Sequence, residues 1–271
     1  MTGRVRTWSL ALSCSISIIL LMPGIALAQQ NNGWQVDLAP LYFWAATTNG
    51  DLAINGNLNI PVYMNFSDAK SKLAKAFTFH GEARKGRWGF LGDINLIDLS
   101  SDVNYTTPIL GLPITGTLEF DQLIINGKGM YEVKPGSRFY IVGGVRTLKL
   151  SPRVHFTGPV GGQLADIESD NTNVAGVGGF IYRPKLNDRF TLLTQADIGD
   201  GGAFTWTAFG GIEFHIKSWI GLMAGYGVLG IDTGDVPTAG TTPIGTATGD
   251  VKYTVKQYGP AFSLTFHIGQ K

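Results

Sequence analysis

The chain has 271 residues, of which 37 are glycine and 11% are aromatic, and its formal net charge is +1. This charge balance provides no basic surface for nucleic acid and no polyanionic character. The length allows one large domain or two smaller ones, and the glycine and aromatic content is typical of closely packed β architectures.

The first 28 residues have the pattern of a secretory signal peptide. Arg4 and Arg6 form a positively charged start, and residues 10–21 form an apolar run. Ala26-Leu27-Ala28 then has the small-x-small pattern of a cleavage site. These three features together predict export and cleavage after Ala28.

Cleavage would leave a single mature domain over residues 29–271. An uncleaved anchor helix is the alternative, but Pro23 and Gly24 end the apolar run early. Cys14 is the only cysteine, so the mature chain has neither a disulfide framework nor thiolate chemistry. The mature chain has 19 basic and 20 acidic residues, a net charge of −1. No other stretch approaches the ~18 apolar residues of a membrane helix.

The mature chain alternates apolar and polar side chains in ten segments, each of which predicts a β-strand, because successive side chains of a strand point to opposite faces. In the last segment Phe262, Leu264 and Phe266 share one face, opposite Ser263 and His267. The ten segments, in chain order, are Trp34–Trp44, Ala74–Arg84, Trp88–Ile97, Gly116–Val133, Arg138–Leu150, Glu168–Tyr182, Phe190–Ile198, Phe204–Ile216, Trp219–Ile231 and Val251–Ile268.

The connections between these segments alternate in length. Those after the second, fourth, sixth and eighth segments are short, and four of the five others are long. A transmembrane barrel has short turns on its periplasmic rim and longer loops outside. We therefore predict an all-β, antiparallel transmembrane barrel of ten strands. The alternatives are a twelve-strand barrel, with residues 51–66 as an extra hairpin in the wall, and a periplasmic β-sandwich or lipocalin-like barrel.

Aromatic residues near the strand ends form two groups, as expected for the two interfaces of a membrane. The predicted interface aromatics are Trp34, Trp44, Trp88, Trp206, Trp219 and Phe266.

If the apolar faces contact lipid, the polar faces line the lumen. A ten-strand barrel is near the size at which side chains fill the interior, so we expect mostly paired polar side chains there. A narrow pore for small solutes is the alternative. The predicted lumen cluster consists of His80, Glu82, Arg84, Asp93, Asn95, Lys128, Arg146, Asp197, Glu213 and His215, accompanied by Asn126, Gln195, Gln257 and His267.

Two His/Glu pairs are weak candidates for metal binding. His80 with Glu82, and Glu213 with His215, each share one face of a strand, and these residue types suit zinc. The sequence has no strong zinc signature, and the two segments are not consecutive in the chain, so we expect no metal and no cofactor.

Ser263 and His267 also share a face, as a lipid hydrolase would require. No acidic partner is identifiable from the sequence, so we expect no catalytic residues and no enzyme activity.

Four stretches of the chain resemble the small outer-membrane β-barrel proteins of Gram-negative bacteria, which include OmpA-like and OmpW-like barrels. The resemblance implies a location in the bacterial outer membrane. We accordingly expect contact with its lipid, insertion by the barrel-assembly machinery and a monomeric state. In those families the final strand ends in an aromatic residue, whereas here five residues follow Phe266. The expected function is a non-enzymatic structural or surface-interaction role in the envelope, with a porin-like passive channel as the alternative. The stretches are the signal ending ALA, the opening WQVDLAPLYFW, the run HGEARKGRWGFLGDINLIDL and the closing YGPAFSLTFHI.

Overall fold

The computed structural model describes residues 33–54, 58–64, 73–106, 113–157, 163–168, 170–242 and 245–269. The predicted signal peptide lies outside the described residues. Among those that are described, no helix is long and apolar enough to cross a membrane.

Thirteen strands are present in the described part of the chain, and alternation of side chains is visible in their burial. They are β1 (Trp34–Trp44), β2 (Thr47–Ile54), β3 (Leu58–Met64), β4 (Leu73–Lys85), β5 (Trp88–Thr106), β6 (Pro113–Glu132), β7 (Phe139–Thr157), β8 (Gln163–Glu168), β9 (Asn171–Tyr182), β10 (Phe190–Asp200), β11 (Phe204–Lys217), β12 (Ile220–Thr242) and β13 (Gly245–Ile268).

Ten of these strands form a closed antiparallel ring. Its order is β1, β4, β5, β6, β7, β9, β10, β11, β12 and β13, and β13 pairs with β1 to close it. In this closing pair Phe43 is opposite Phe262 and Val36 is opposite Ile268. Closure satisfies the backbone groups that an open edge would expose. The predicted ten-strand barrel is confirmed.

The three other strands lie above the ring, at the end opposite the short turns. β2 pairs with residues 251–258 of β13, and β3 pairs with β2. β8 pairs with both β7 and β12. The sheet therefore continues upward through β3, β2, β13, β12, β8, β7, β6 and β5. The hairpin considered for a twelve-strand barrel exists as β2 and β3, but it does not enter the ring.

Three of the predicted long connections are largely strand. β5 and β6 remain paired up to Thr106 and Pro113, and β12 and β13 up to Thr242 and Gly245. β7 likewise continues to Thr157. The extensions of β12 and β13 are polar and rich in Gly and Thr, so they lack the apolar alternation by which the other strands were recognised.

The outer surface of the ring is apolar. In β13, Phe262 is 50% exposed whereas its neighbours Ala261 and Ser263 are buried. A broad apolar exterior on a closed barrel is the surface that a transmembrane barrel presents to lipid. Other exposed apolar side chains are Ile94, Ile125, Ile141, Val145, Val174, Ile198, Ile212 and Leu222.

A register shift between Leu38 and Leu41 inverts the alternation of β1. Beyond it Leu41 and Phe43 point outward and are 68% and 44% exposed. Trp44 consequently faces the interior, where its Nε1 donates a hydrogen bond to the carbonyl oxygen of Gly259 (3.1 Å). The placement of Trp44 among the interface aromatics was therefore wrong, because one β-bulge exchanged the two faces of the strand.

The other predicted interface aromatics lie on the outer face or at the rim. Trp88 and Trp219 are exposed beside short turns. The ring of Trp88 packs on Tyr131, with centroids 4.6 Å apart, and Trp219 stacks on Phe266. Trp34 lies beside Lys85 at the same rim. Trp206 is half-buried and covers Gly230 of β12.

Candidate functional site

Glu82, which is 3% exposed, sits between two arginines just inside the short-turn rim. Arg183, from the turn after β9, donates two hydrogen bonds to it: Nη1 to Oε1 (3.0 Å) and Nη2 to Oε2 (2.7 Å). Arg84 places its Nε 2.6 Å from Oε1 of Glu82 and donates a hydrogen bond from Nη2 to Asp37. Such charge-assisted pairs are among the strongest polar contacts in proteins.

The same layer continues into two histidines. Nδ1 of His267 lies 2.8 Å from Oδ1 of Asp37, and its Nε2 lies 3.1 Å from Oε1 of Glu213. Nε2 of His215 is 2.9 Å from Oγ1 of Thr191 and 4.0 Å from Oε2 of Glu213. We call the whole layer the rim network, and its members are Asp37, Glu82, Arg84, Arg183, Glu213, His215 and His267.

A second layer, the central network, lies deeper in the barrel around Asp197. This carboxylate accepts hydrogen bonds from Lys128 Nζ and Arg146 Nη2, both at 2.7 Å. Arg146 also donates to Oδ1 of Asn126 and Oγ1 of Thr205, both at 2.8 Å. These buried charges are all partnered, as the cost of burying an isolated ion requires.

A cavity of about 250 Å³ lies between these layers. His80 and Asp93, which are hydrogen-bonded to each other, form part of its wall. Trp44 and Phe209 contribute aromatic surface, and Asn95 contributes an amide. The cavity thus combines apolar walls with a few polar groups.

Above the central network the interior becomes largely apolar. Gln122 and Gln257 exchange two amide hydrogen bonds, at 3.1 and 3.0 Å, and are 1% and 0% exposed. Buried apolar side chains surround this pair and continue toward the upper strands: Leu52, Leu148, Leu150, Leu229, Ile231, Val251 and Val255. The buried ion pairs are therefore concentrated in the short-turn half of the interior, and buried apolar side chains are more frequent in the other half.

The predicted lumen residues all occupy the interior, in separate groups. Glu82, Arg84, Glu213 and His215 belong to the rim network, and Lys128, Arg146 and Asp197 to the central network. His80, Asp93 and Asn95 line the cavity.

Sequence reasoning missed Asp37, Arg183 and Gln122 as members of the site. Asp37 lies on the polar side of the first strand, which was the available signal. Arg183 follows β9 and lies outside the ten predicted strands, although its side chain reaches back into the barrel.

The arrangement around Ser263 does not form a catalytic triad. Its Oγ lies 3.3 Å from Oγ1 of Thr265, while both ring nitrogens of His267 face carboxylates. Asp37 is the acidic partner that the sequence did not reveal, but it orients His267 toward Glu213.

The closed ring, apolar exterior and charged interior define the chain as a transmembrane β-barrel of the outer-membrane type. No protein-family model matches the chain, and no curated protein matches it. Among solved structures, it is similar to the translocator domain of the autotransporter NalP from Neisseria meningitidis, with 11% identity, a TM-score of 0.48 and coverage of 98% of this chain and 99% of that one. It is also similar to the outer membrane protease OmpT from Escherichia coli (8% identity, TM-score 0.44, 87% and 96% covered). A third similar structure is the Pseudomonas putida toluene transporter TodX (9% identity, TM-score 0.36, 89% and 90% covered).

Proposed function

We propose that the protein is a monomeric, non-enzymatic barrel of the bacterial outer membrane, with a structural or surface-interaction role and a non-conducting lumen. It would contact outer-membrane lipid and be inserted by the barrel-assembly machinery. The observation that carries the proposal is the bridging of the lumen at two levels. Glu82 of β4 pairs with Arg183 after β9, and Gln122 of β6 pairs with Gln257 of β13.

Each of these pairs joins strands that have three others between them in the ring. A ten-strand barrel has little space beyond that needed for its own side chains. Side chains that meet across it at two levels, with apolar packing around the upper pair, support a closed interior.

The upper strands support a role at the cell surface. β12 has 23 residues and β13 has 24, whereas a membrane-spanning strand needs about 9–11. The excess lies on the side of the predicted long loops, together with β2, β3 and β8. On this proposal, these hydrogen-bonded strands extend above the membrane and provide a rigid surface to which a partner can bind.

Planar-bilayer recording tests the closed lumen directly. The barrel is purified from membranes in detergent, its folded state is checked by heat-modifiable gel migration, and it is added to a lipid bilayer. We expect no stable current steps. Stepwise currents that scale with the amount of folded protein, and that vanish after heat denaturation, would refute the proposal.

A narrow passive channel is the second candidate, favoured by the interior cavity. It requires the apolar layer above Gln122 and Gln257 to open, so the same recordings separate it from the first. A lipid-active hydrolase is the remaining alternative. For this alternative, lipid hydrolysis by the wild type that Ser263→Ala abolishes would be the positive result.

A further inference from the structure

We propose that Glu213, His215 and His267 form a binding site for a divalent transition-metal ion of the zinc type, inside the short-turn rim. One ligand atom from each side chain lies within 4.8 Å of the other two. Two imidazoles and one carboxylate form a donor set that binds zinc and leaves a fourth position for water. The site does not depend on whether the lumen conducts.

The spacing of the donor atoms is close to that of a metal site. For tetrahedral zinc with bonds of about 2.0–2.2 Å, neighbouring ligand atoms lie about 3.3 Å apart. His267 Nε2 and Glu213 Oε1 are already 3.1 Å apart, and His215 Nε2 is 4.0 Å from Glu213 Oε2. A small rotation of His215, which gives up its hydrogen bond to Thr191, completes the set.

Asp37 orients His267 for this role. It holds Nδ1 at 2.8 Å, so Nε2 is directed toward Glu213 and the ion. A carboxylate on the non-ligating nitrogen is the usual support of a metal-bound histidine, because it fixes the ring and its tautomer. Arg84 in turn holds the other oxygen of Asp37.

Gly221 provides the space that the site requires. It lies on β12, between β11 and β13, where it pairs with His215 on one side and Thr265 on the other. A Cβ atom at this position would lie 2.6 Å from Oε1 of Glu213. The missing side chain therefore lets the carboxylate sit between the two histidines.

The charges of the rim network favour a cation. The carboxylates of Asp37 and Glu82 face the guanidinium groups of Arg84 and Arg183, whereas Glu213 faces His267. With neutral imidazoles this leaves one negative charge, which a bound cation balances. A proton on His267 is the competing occupant.

His215 is the most exposed of the three ligands and lies two residues before the end of β11, so an ion has access from the short-turn rim.

The experiment uses the folded barrel in detergent after treatment with a chelator. Titration with Zn²⁺ is followed by calorimetry, and titration with Co²⁺ by its visible absorption. We expect one equivalent of each ion to bind, and Co²⁺ to give the intense bands of a four- or five-coordinate complex. Absence of saturable uptake would overturn the site and leave the proton as the occupant.

Variants locate the ion. His215→Ala and Glu213→Gln should weaken Zn²⁺ binding by at least tenfold, and Asp37→Asn by about 10–100-fold. His80→Ala is the matched control, because His80 is also an interior histidine paired with a carboxylate but lies outside the cluster. The affinity of His80→Ala for Zn²⁺ should equal that of the wild type. Equal affinity in His215→Ala would overturn the proposal.

A measurement on the wild type covers the case in which a variant does not fold. X-ray absorption of the Zn²⁺-loaded barrel should show two imidazole ligands and additional oxygen ligands. A spectrum with fewer than two imidazoles would contradict the site.

Discussion

Arg183 and Glu82 are joined by two parallel hydrogen bonds across the lumen, although β5, β6 and β7 separate their strands in the ring. The pair holds two distant parts of the wall at a fixed distance. Because Glu82 is almost fully buried, its charge depends on Arg183 and Arg84 for compensation.

Arg183→Met should therefore destabilise the barrel by about 1.5–3 kcal/mol, the usual contribution of hydrogen bonds to a charged group, because Glu82 loses two hydrogen bonds and keeps only Arg84 as its cation. The measurement is the urea concentration at the midpoint of unfolding in detergent, with gel migration as the readout of the folded fraction. Lys149→Met is the control, because its pair with Asp170 is exposed and should contribute less than about 1 kcal/mol. Equal shifts for the two variants would contradict a stabilising role for the cross-lumen pair.

The central network should be replaceable as a unit but not in part. Asp197→Leu leaves Lys128 and Arg146 without their shared carboxylate, and should cost about 3–5 kcal/mol. The triple variant Lys128→Met, Arg146→Met, Asp197→Leu should recover most of that loss, because well-packed apolar side chains often match a buried ion cluster. Urea unfolding of both variants checks this. A triple variant less stable than Asp197→Leu would show that the network contributes net stability.

The apolar exterior predicts that the energetic cost of an introduced charge depends on its depth in the membrane. Ile212 is exposed in the middle of β11. Its replacement by arginine should reduce the folding free energy of the barrel by about 2–4 kcal/mol, the cost of a cation at the bilayer midplane. Val133→Arg, in the short turn after β6, should cost about 1 kcal/mol or less. Folding free energies in lipid vesicles provide the comparison. A similar cost at both positions would contradict a membrane-embedded belt.

The bulge in β1 predicts opposite environments for two adjacent residues. The described chain contains no cysteine, so a single cysteine can carry a fluorescent label. A bimane label at Phe43→Cys should be quenched by brominated lipid, and the same label at Tyr42→Cys should not. The reverse pattern would mean that the alternation of β1 continues through Leu41 without a bulge.

Sequence reasoning predicted the ring because each of its ten strands carries apolar alternation that lipid contact imposes. It failed where that constraint ends. The upper parts of β12 and β13 are paired strands but polar, and nothing in their pattern distinguishes them from loops. The bulge between Leu38 and Leu41 is a property of strand pairing and left no local signal.

The rim network shows the same limit in the site. Alternation placed Glu213, His215 and His267 on inward faces, since a period of two is all that such placement requires. Their convergence depends on the register of β11 against β12 and of β12 against β13, which no single strand specifies. Arg183 was missed because its reach depends on a long side chain rather than on its position in a strand.

The pairing of Val36 with Ile268 places the start of β1 beside the end of β13. The two ends of the barrel sequence are therefore neighbours, although 230 residues separate Asp37 from His267 along the chain. A short linker between them, with new ends opened in the turn at residues 133–138, would give a circular permutant with the same ring. The wall is therefore a closed series of hairpins. Moving the chain ends from one hairpin to another would leave the pairing of its strands unchanged.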